Sequence, residues 1–323
     1  MGEPVSRARA AGLVAGLLAD AAAGDPRRGH PVAVFGAAAQ RAEQACYCDD
    51  RLTGAVYSAL LVGVPALAAW ALERRLPRAR GIVLAAVTWA ALGGRSLGRE
   101  ALAVGEAVAA GDLVTARRRI PALVGRDPAT LDGPELCRAA VESVAENTAD
   151  AIVAPLLWGA VAGPAGVVAH RCANTLDAMV GYRSRRYLRF GWASARLDDV
   201  LAWAPARLTA ALAVLLAPLV GGEVRAAARV ARRDGHRSPS PNAGRAEAAF
   251  AGALGVRLGG VNRYGSGPDA LVEVRGPLGD GPSPTPADVA RAVLLSRAVV
   301  AAAALVAAAA AAAAGRDSKE VVT

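Results

Sequence analysis

Lysine is all but missing from this chain: Lys319, near the C-terminus, is the only one in 323 residues. That excludes a P-loop, whose lysine must reach nucleotide phosphates, and argues against Schiff-base chemistry. Cysteine is scarce too. Cys46, Cys48, Cys137 and Cys172 show no zinc-ribbon or redox CxxC spacing and no disulfide framework. Cys46-x-Cys48 stays open between a metal pair and two incidental thiols. Of the three histidines, His30 and His236 lie in polar loops and His170 ends an apolar run, so no Ser/His/Asp order can be argued. Aromatics make up only 4% of the chain, and no basic, aromatic-studded element is present, which argues against nucleic acid as a partner. There is no internal repeat.

What the chain does have is aliphatic bulk and arginine. It is 54% hydrophobic, with a mean hydropathy of +0.31, much of it from alanine. The net charge of +9 is carried almost wholly by arginine and points to anionic partners, lipid headgroups or phosphates. Six apolar stretches, 10–23, 53–72, 81–92, 151–169, 200–220 and 289–314, alternate with polar stretches 24–52, 93–149, 170–199 and 221–288. A straight span needs about 20 residues; the second, fourth, fifth and sixth reach that length, and the first and third are short. The first reads as a retained membrane segment rather than a cleaved signal peptide. The last is largely alanine, which makes its insertion marginal by itself, with a long surface or coiled helix as the alternative. We expect an all-α fold: a polytopic helical integral membrane protein, one membrane-embedded domain with long helical polar loops. Arginine distribution weakly places the loops beginning at Gly24, Gly93 and Gly221 in the cytoplasm. Pro155 and Pro164 interrupt the fourth stretch, which predicts a broken or re-entrant segment.

The densest chemistry is RAAVESVAENTAD, Arg138 to Asp150. Glu142, Glu146 and Asp150 recur every four residues and share one helical face, with Ser143 and Asn147 beside them. Carboxylates stacked at the mouth of an apolar segment need a cation: a metal ion, arginines or a substrate. Oxygen ligands together with substrate phosphates suit magnesium; a face neutralised by Arg138 is the simpler alternative. Asn174 and Asp177 lie three apart in CANTLDAM, followed by Tyr182, Arg183, Arg185 and Arg186. They suit a phosphate with its metal, or an interfacial arginine belt. Asp198 and Asp199 point to different faces of a helix, so at most one is a ligand. SPSPNAG reads as a turn feeding a helix, with Ser240 or Asn242 as N-cap and a proline at N1, a potential phosphate seat. GVRLGGVNRYGSG lacks GxGxxG and any lysine and is a weak nucleotide signal.

Taken in order, GDPRRGHPV, RAAVESVAENTADAIVAPLLWG, ANTLDAMVGYRSRRYLRFGWASARLDDV, PARLT and SPNAG…EAAFAGALGVRLGG resemble the CobD/CbiB family of cobalamin biosynthesis, from about residue 12 to residue 265. Two departures stand out: Arg27-Arg28-Gly29 after GDP, where a more aromatic stretch is expected, and Arg245-Ala246 after SPNAG, where Trp-Pro is usual. The resemblance implies a polytopic cell-membrane enzyme with adenosylcobinamide-phosphate synthase activity. Such an enzyme joins a propionate carboxyl of adenosylcobyric acid to (R)-1-amino-2-propanol O-phosphate, or a close amino-alcohol phosphate, using ATP and Mg2+. Under that reading Glu142, Glu146, Asp150 and Asp177 hold magnesium. Arg126, Arg183 and Arg207 clamp phosphate or propionate. Ser240 and Asn242, with Asn147 and Asn174, bind substrate, and Asp199 is the base. Expected partners are the corrinoid and amino-alcohol phosphate, membrane lipid and other corrin-pathway enzymes. A cation-coupled transporter and a non-catalytic scaffold are the alternatives.

Overall fold

The computed structural model describes residues 2–25, 29–265 and 271–313. Arg27 and Arg28 of the GDP motif, the end of the GVNRYGSG segment and Lys319 lie outside them. The helices are α1 (Gly2–Ala23), α2 (Pro31–Cys46), α3 (Arg51–Arg75), α4 (Arg80–Ala91), α5 (Gly94–Ala109), α6 (Leu113–Arg119) and α7 (Gly133–Asn147), then α8 (Ala154–Val180), α9 (Tyr187–Phe190), α10 (Trp192–Leu201), α11 (Trp203–Leu215), α12 (Val224–Asp234) and α13 (Ala243–Leu254). An antiparallel hairpin, β1 (Leu258–Tyr264) and β2 (Leu271–Leu278), precedes α14 (Pro286–Ala313). The fold is all-α apart from this hairpin, which sequence reading placed in a helical loop.

Among the described residues, four helical runs are long and apolar enough to cross a membrane: 51–75, 77–109, 133–180 and 286–313. Three contain stretches expected to span. The third expected stretch, short by itself, lies in the run formed by α4 and α5, which meet at the extended Leu92. The fifth does not qualify: α11 ends at Leu215 and gives way to a 3₁₀ turn at Ala217–Val220.

The chain divides into two compact units: residues 1–94, 150–205 and 303–323, and residues 95–149 and 206–302. In the first, α1 packs on α4 through small residues. A methyl group on Gly12 would stand 2.7 Å from the Gly81 carbonyl oxygen, and one on Gly16 would meet Thr88 Cβ at 2.7 Å. Gly12 and Gly16 form a GxxxG pair, the spacing that lets apolar helices approach closely. Tyr57, Cys172, Leu176, Val180 and Phe190 form one core cluster, and the Tyr57 hydroxyl donates to the Ala39 carbonyl at 3.0 Å.

Helix α8 is interrupted at Gly163 (φ 62°, ψ −150°), directly before Pro164. A methyl on Gly166 would meet the Trp158 carbonyl oxygen at 2.5 Å, and one on Gly159 would meet Val167 at 3.0 Å. Residues eight apart on a straight helix are separated by about 12 Å. The chain therefore folds back on itself at Gly163, the break that Pro164 predicted. Arg9 and Glu73, an ion pair at 3.7 Å, flank the turn.

In the second unit α7 is buried from Leu136 to Ala145. Asp132 caps it by accepting from the Glu135 N–H at 2.9 Å, and proline stands at its start. α12 lies so close to α13 that a methyl on Gly252 would reach Ala227 Cα at 2.8 Å.

Candidate functional site

The second unit buries a charged network around Glu142, which is only 2% exposed. Arg126 Nη2 donates to Glu142 Oε2. Arg138, one turn earlier on α7, donates through Nη1 to Oε1 at 3.1 Å. The Gly259 N–H donates to the same oxygen at 2.7 Å. Gly259 (φ 82°) and Gly260 (φ 108°) sit where the β1–β2 register shifts. A methyl on Gly259 would fall 2.3 Å from the Gly276 carbonyl oxygen. The Gly-Gly pair of GVRLGG thus makes a bulge that turns a backbone donor onto a buried acid, and needs no nucleotide to explain it.

Arg138 also donates to Asn262 Oδ1 at 3.1 Å and to Glu135 and the Val261 carbonyl at 3.2 Å each. Beside this lies a second set. Arg275 donates to Glu247 at 3.2 Å and to Glu273 at 2.9 Å, and the Tyr264 hydroxyl reaches Glu273 at 3.3 Å. Burial, followed by the charges of Glu142 and Glu146, pushes the Glu247 carboxyl up to about 8, against the pull of Arg275 and Arg126. Burial also works against the charge of Arg275, but Glu247, Glu273 and Glu146 outweigh it, so its pKa is raised. Arg126 is likewise held protonated: burial opposes the charge and Glu142 overcomes it.

Among the expected site residues, Arg126, Glu142 and Glu146 belong to this network. Glu142 has both oxygens engaged by arginines and a backbone N–H, so it offers no open coordination position. Among the described residues no three His, Cys, Asp or Glu side chains gather as a metal-holding group. Of the four expected magnesium ligands, Glu142 is met by arginines. Arginines supply the counter-charge at Glu142, and Asp150 and Asp177 belong to the first unit. Asn147 turns back on its own helix, donating to the Ser143 carbonyl at 2.9 Å.

In the first unit Asn174 links Arg171 to Asp198: Arg171 donates to its Oδ1, and its Nδ2 donates to Asp198, both at 3.3 Å. Asp150 and Asp25, the acid of the GDP motif, lie within Coulombic reach of Arg171. Asp198 is buried, while Asp199 stands 3.8 Å from Arg196 on the other face. Burial raises the Asp199 pKa, with Arg196 and Arg183 pulling it down. Asp177 lies against Gly181 at the end of α8, and Arg183 is exposed. Arg186, grouped with Arg183 by sequence, pairs with Glu43 at 3.0 Å and stacks 3.9 Å from the Tyr47 ring, a structural tie.

At the start of α13, Arg207 donates to Asn242 Oδ1 at 3.2 Å. The cap differs from expectation. Helix begins at Ala243, so Pro241 precedes the N-cap position, and Ser240 Oγ accepts from the Ala243 N–H at 3.2 Å. Ser240 therefore caps the helix start, while the Asn242 side chain makes no capping bond and meets Arg207 instead.

Glu247, Arg275 and Asn262 were not anticipated. Glu247 left a signal, being the only acid in α13, AGRAEAAFAGAL, where a buried carboxylate must find a partner. Asn262 and Arg275 left none.

Long apolar helices, a folded-back segment and a buried arginine–carboxylate network define a polytopic helical membrane protein with a polar site. Residues 13–296 match the family described as CobD/Cbib protein. "Cobalamin biosynthesis protein CobD" of Mycobacterium tuberculosis is 55% identical over 292 residues, covering 90% of this chain and 92% of the relative. The proteins of the same name from Pelobacter propionicus and Rhodobacter capsulatus are 44% and 41% identical, covering 83% and 89% of this chain and 84% and 93% of theirs. No solved structure matches. The chain belongs to the CobD/CbiB family and has a role in cobalamin biosynthesis.

Proposed function

We propose that this protein is an adenosylcobinamide-phosphate synthase of the cell membrane, with its long polar loops cytoplasmic. It would form an amide between adenosylcobyric acid and (R)-1-amino-2-propanol O-phosphate, or a related amino-alcohol phosphate. The observation that carries the reading is the buried arginine network at Glu142, set in a chain whose family acts in cobalamin biosynthesis.

A carboxylate is a poor acylating agent, so the ligation needs activation. A carboxylate oxygen of the corrinoid attacks the γ-phosphorus of ATP, and ADP leaves. The amine nitrogen then attacks the acyl carbon of the acyl phosphate, inorganic phosphate departs, and a base takes the ammonium proton. Permanent cations that neutralise developing phosphate charge suit such steps, and Arg126 and Arg207 are the proposed cations. Asp199 is the proposed base. Magnesium enters as the counter-ion of ATP, since Glu142 is closed by its arginines. Arg183, Asn174 and Asp177 are further proposed substrate contacts. The site would take its substrates beside membrane lipid and other corrin-pathway enzymes.

The folded-back α8 favours one competing reading, a cation-coupled carrier, since broken helices line such carriers' sites. One assay separates them. Purified protein in detergent, given adenosylcobyric acid, amino-alcohol phosphate, ATP and magnesium, should form an ATP-dependent amide, read by mass spectrometry. A carrier forms none.

A further inference from the structure

The network in the second unit leaves two donors unused. Arg126 is 6% exposed and Asn262 1%, and neither Arg126 Nη1 nor Asn262 Nδ2 has a hydrogen-bond partner among the described residues. The orientation of the Asn262 amide is set by its neighbour. Its oxygen accepts from Arg138 Nη1, which leaves the NH₂ group as the free end. Both donors hang on one scaffold. Arg126 and Arg138 grip the same Glu142 carboxylate, and Arg138 holds Asn262. The Asp127 N–H donates to the Arg263 carbonyl at 2.9 Å, which ties the Arg126 segment to the strand bearing Asn262. Buried donors without acceptors are costly and rare, and they are kept where a ligand supplies the missing oxygen.

A third group completes the arrangement. Glu146 follows Glu142 by one turn of α7, about 5–6 Å between Cβ atoms. It has no hydrogen-bond or ion-pair partner among the described residues and lies within Coulombic reach of Arg126 and Arg275. A carboxylate within Coulombic reach of Arg126 thus lies one turn of α7 from the acid that holds the free donors' scaffold.

We propose that Arg126 Nη1 and Asn262 Nδ2 seat the phosphate of a short zwitterion while Glu146 receives its ammonium group, making this the subsite for the amino-alcohol phosphate. The inference rests on the ligase reading for the identity of the ligand. Its chemistry matches the molecule: an anion and a cation separated by a few bonds, met by two unused donors and by an acid within Coulombic reach of Arg126. Asn262 and Glu146 would then set specificity, one for phosphate over a bare alcohol and the other for the amine.

Equilibrium binding to the full-length protein in detergent, without ATP, tests this. The probes are (R)-1-amino-2-propanol O-phosphate, isopropyl phosphate, adenosylcobyric acid and ATP. N262D keeps the oxygen that Arg138 uses and replaces the free donors with a second acceptor. It should weaken both small phosphates at least tenfold while thermal stability holds. E146Q should weaken the amine-bearing phosphate at least fivefold and leave isopropyl phosphate within twofold. The proposal is overturned if N262D leaves the small phosphates unaffected, in which case a buried water satisfies these donors. It is equally overturned if N262D weakens only ATP or the corrinoid acid. The ligation assay is separate. Zwitterion binding with the expected variant pattern but no amide product would sink the ligase reading and leave the seat standing.

Discussion

Replacing Glu142 by glutamine should cost the second unit more than any surface change, and the reason can be worked out from its contacts. Arg126 is 6% exposed, Arg138 is 5% exposed, and both direct a guanidinium group at this carboxylate. An arginine keeps its proton at any pH of interest, so E142Q leaves buried positive charge with a neutral amide in place of a counter-ion. Breaking a buried pair by removing one partner costs about 3–5 kcal/mol. In a unit of this size each kcal/mol moves the melting temperature by about 2–4 °C, so the fall should be on the order of 6–20 °C. The assay is thermal unfolding of detergent-solubilised protein, read by tryptophan fluorescence and by loss of monodisperse material. E142M/R126M, which removes both ends of the closest pair, should recover much of the lost stability yet form no amide. A melting point for E142Q within 2 °C of the parent would refute the view that this carboxylate balances buried arginines.

Glu247 makes a pH prediction. Its folded pKa of about 8 lies above the ordinary value of 4.5, so the folded state holds the proton more tightly. Stability from this group is full below about pH 4.5 and is lost as pH rises through 8. E247Q should flatten the melting temperature between pH 5 and 9 and exceed the parent at the alkaline end. Gly259→Ala puts a side chain at φ 82° and 2.3 Å from a carbonyl oxygen; it should lower the melting temperature and release the Glu142 contact, seen as faster amide exchange in β1. Gly54→Ala meets the Phe190 carbonyl oxygen at 1.8 Å and should destabilise the first unit by about 2 kcal/mol or more, measured by denaturant unfolding. Asp199→Asn should slow ligation about 10²–10⁴-fold with an unchanged melting point, as expected of a base; a parent-like rate would remove Asp199 from that role.

The sequence made the helical class and the membrane segments readable because apolar runs have a length and a period. Pro164 likewise announced the break in α8. The hairpin escaped because LGGVNRY holds two glycines and a polar centre, which read as a loop until β2 pairs with it. In the site, the four-residue spacing of Glu142 and Glu146 revealed their shared face but not what meets it. Arg138 lies within the same motif, whereas Arg126, Gly259 and Asn262 come from chain segments whose approach to α7 is a tertiary fact. A magnesium cage and an arginine clamp look alike from one helix. Asp150, grouped with Glu142 by its four-residue spacing, and Asp177, grouped with it through the family resemblance, belong to the first unit.

The near-absence of lysine has a consequence inside the protein as well as at its surface. A buried lysine can discharge by releasing a proton, and a chain that uses lysine there can survive the loss of an acid by becoming neutral. Arg126, Arg138 and Arg275 have no such exit. Each acid facing them is therefore answerable for a fixed quantity of charge, and sequence drift around α7 is confined to paired exchanges, an acid surrendered only together with its guanidinium.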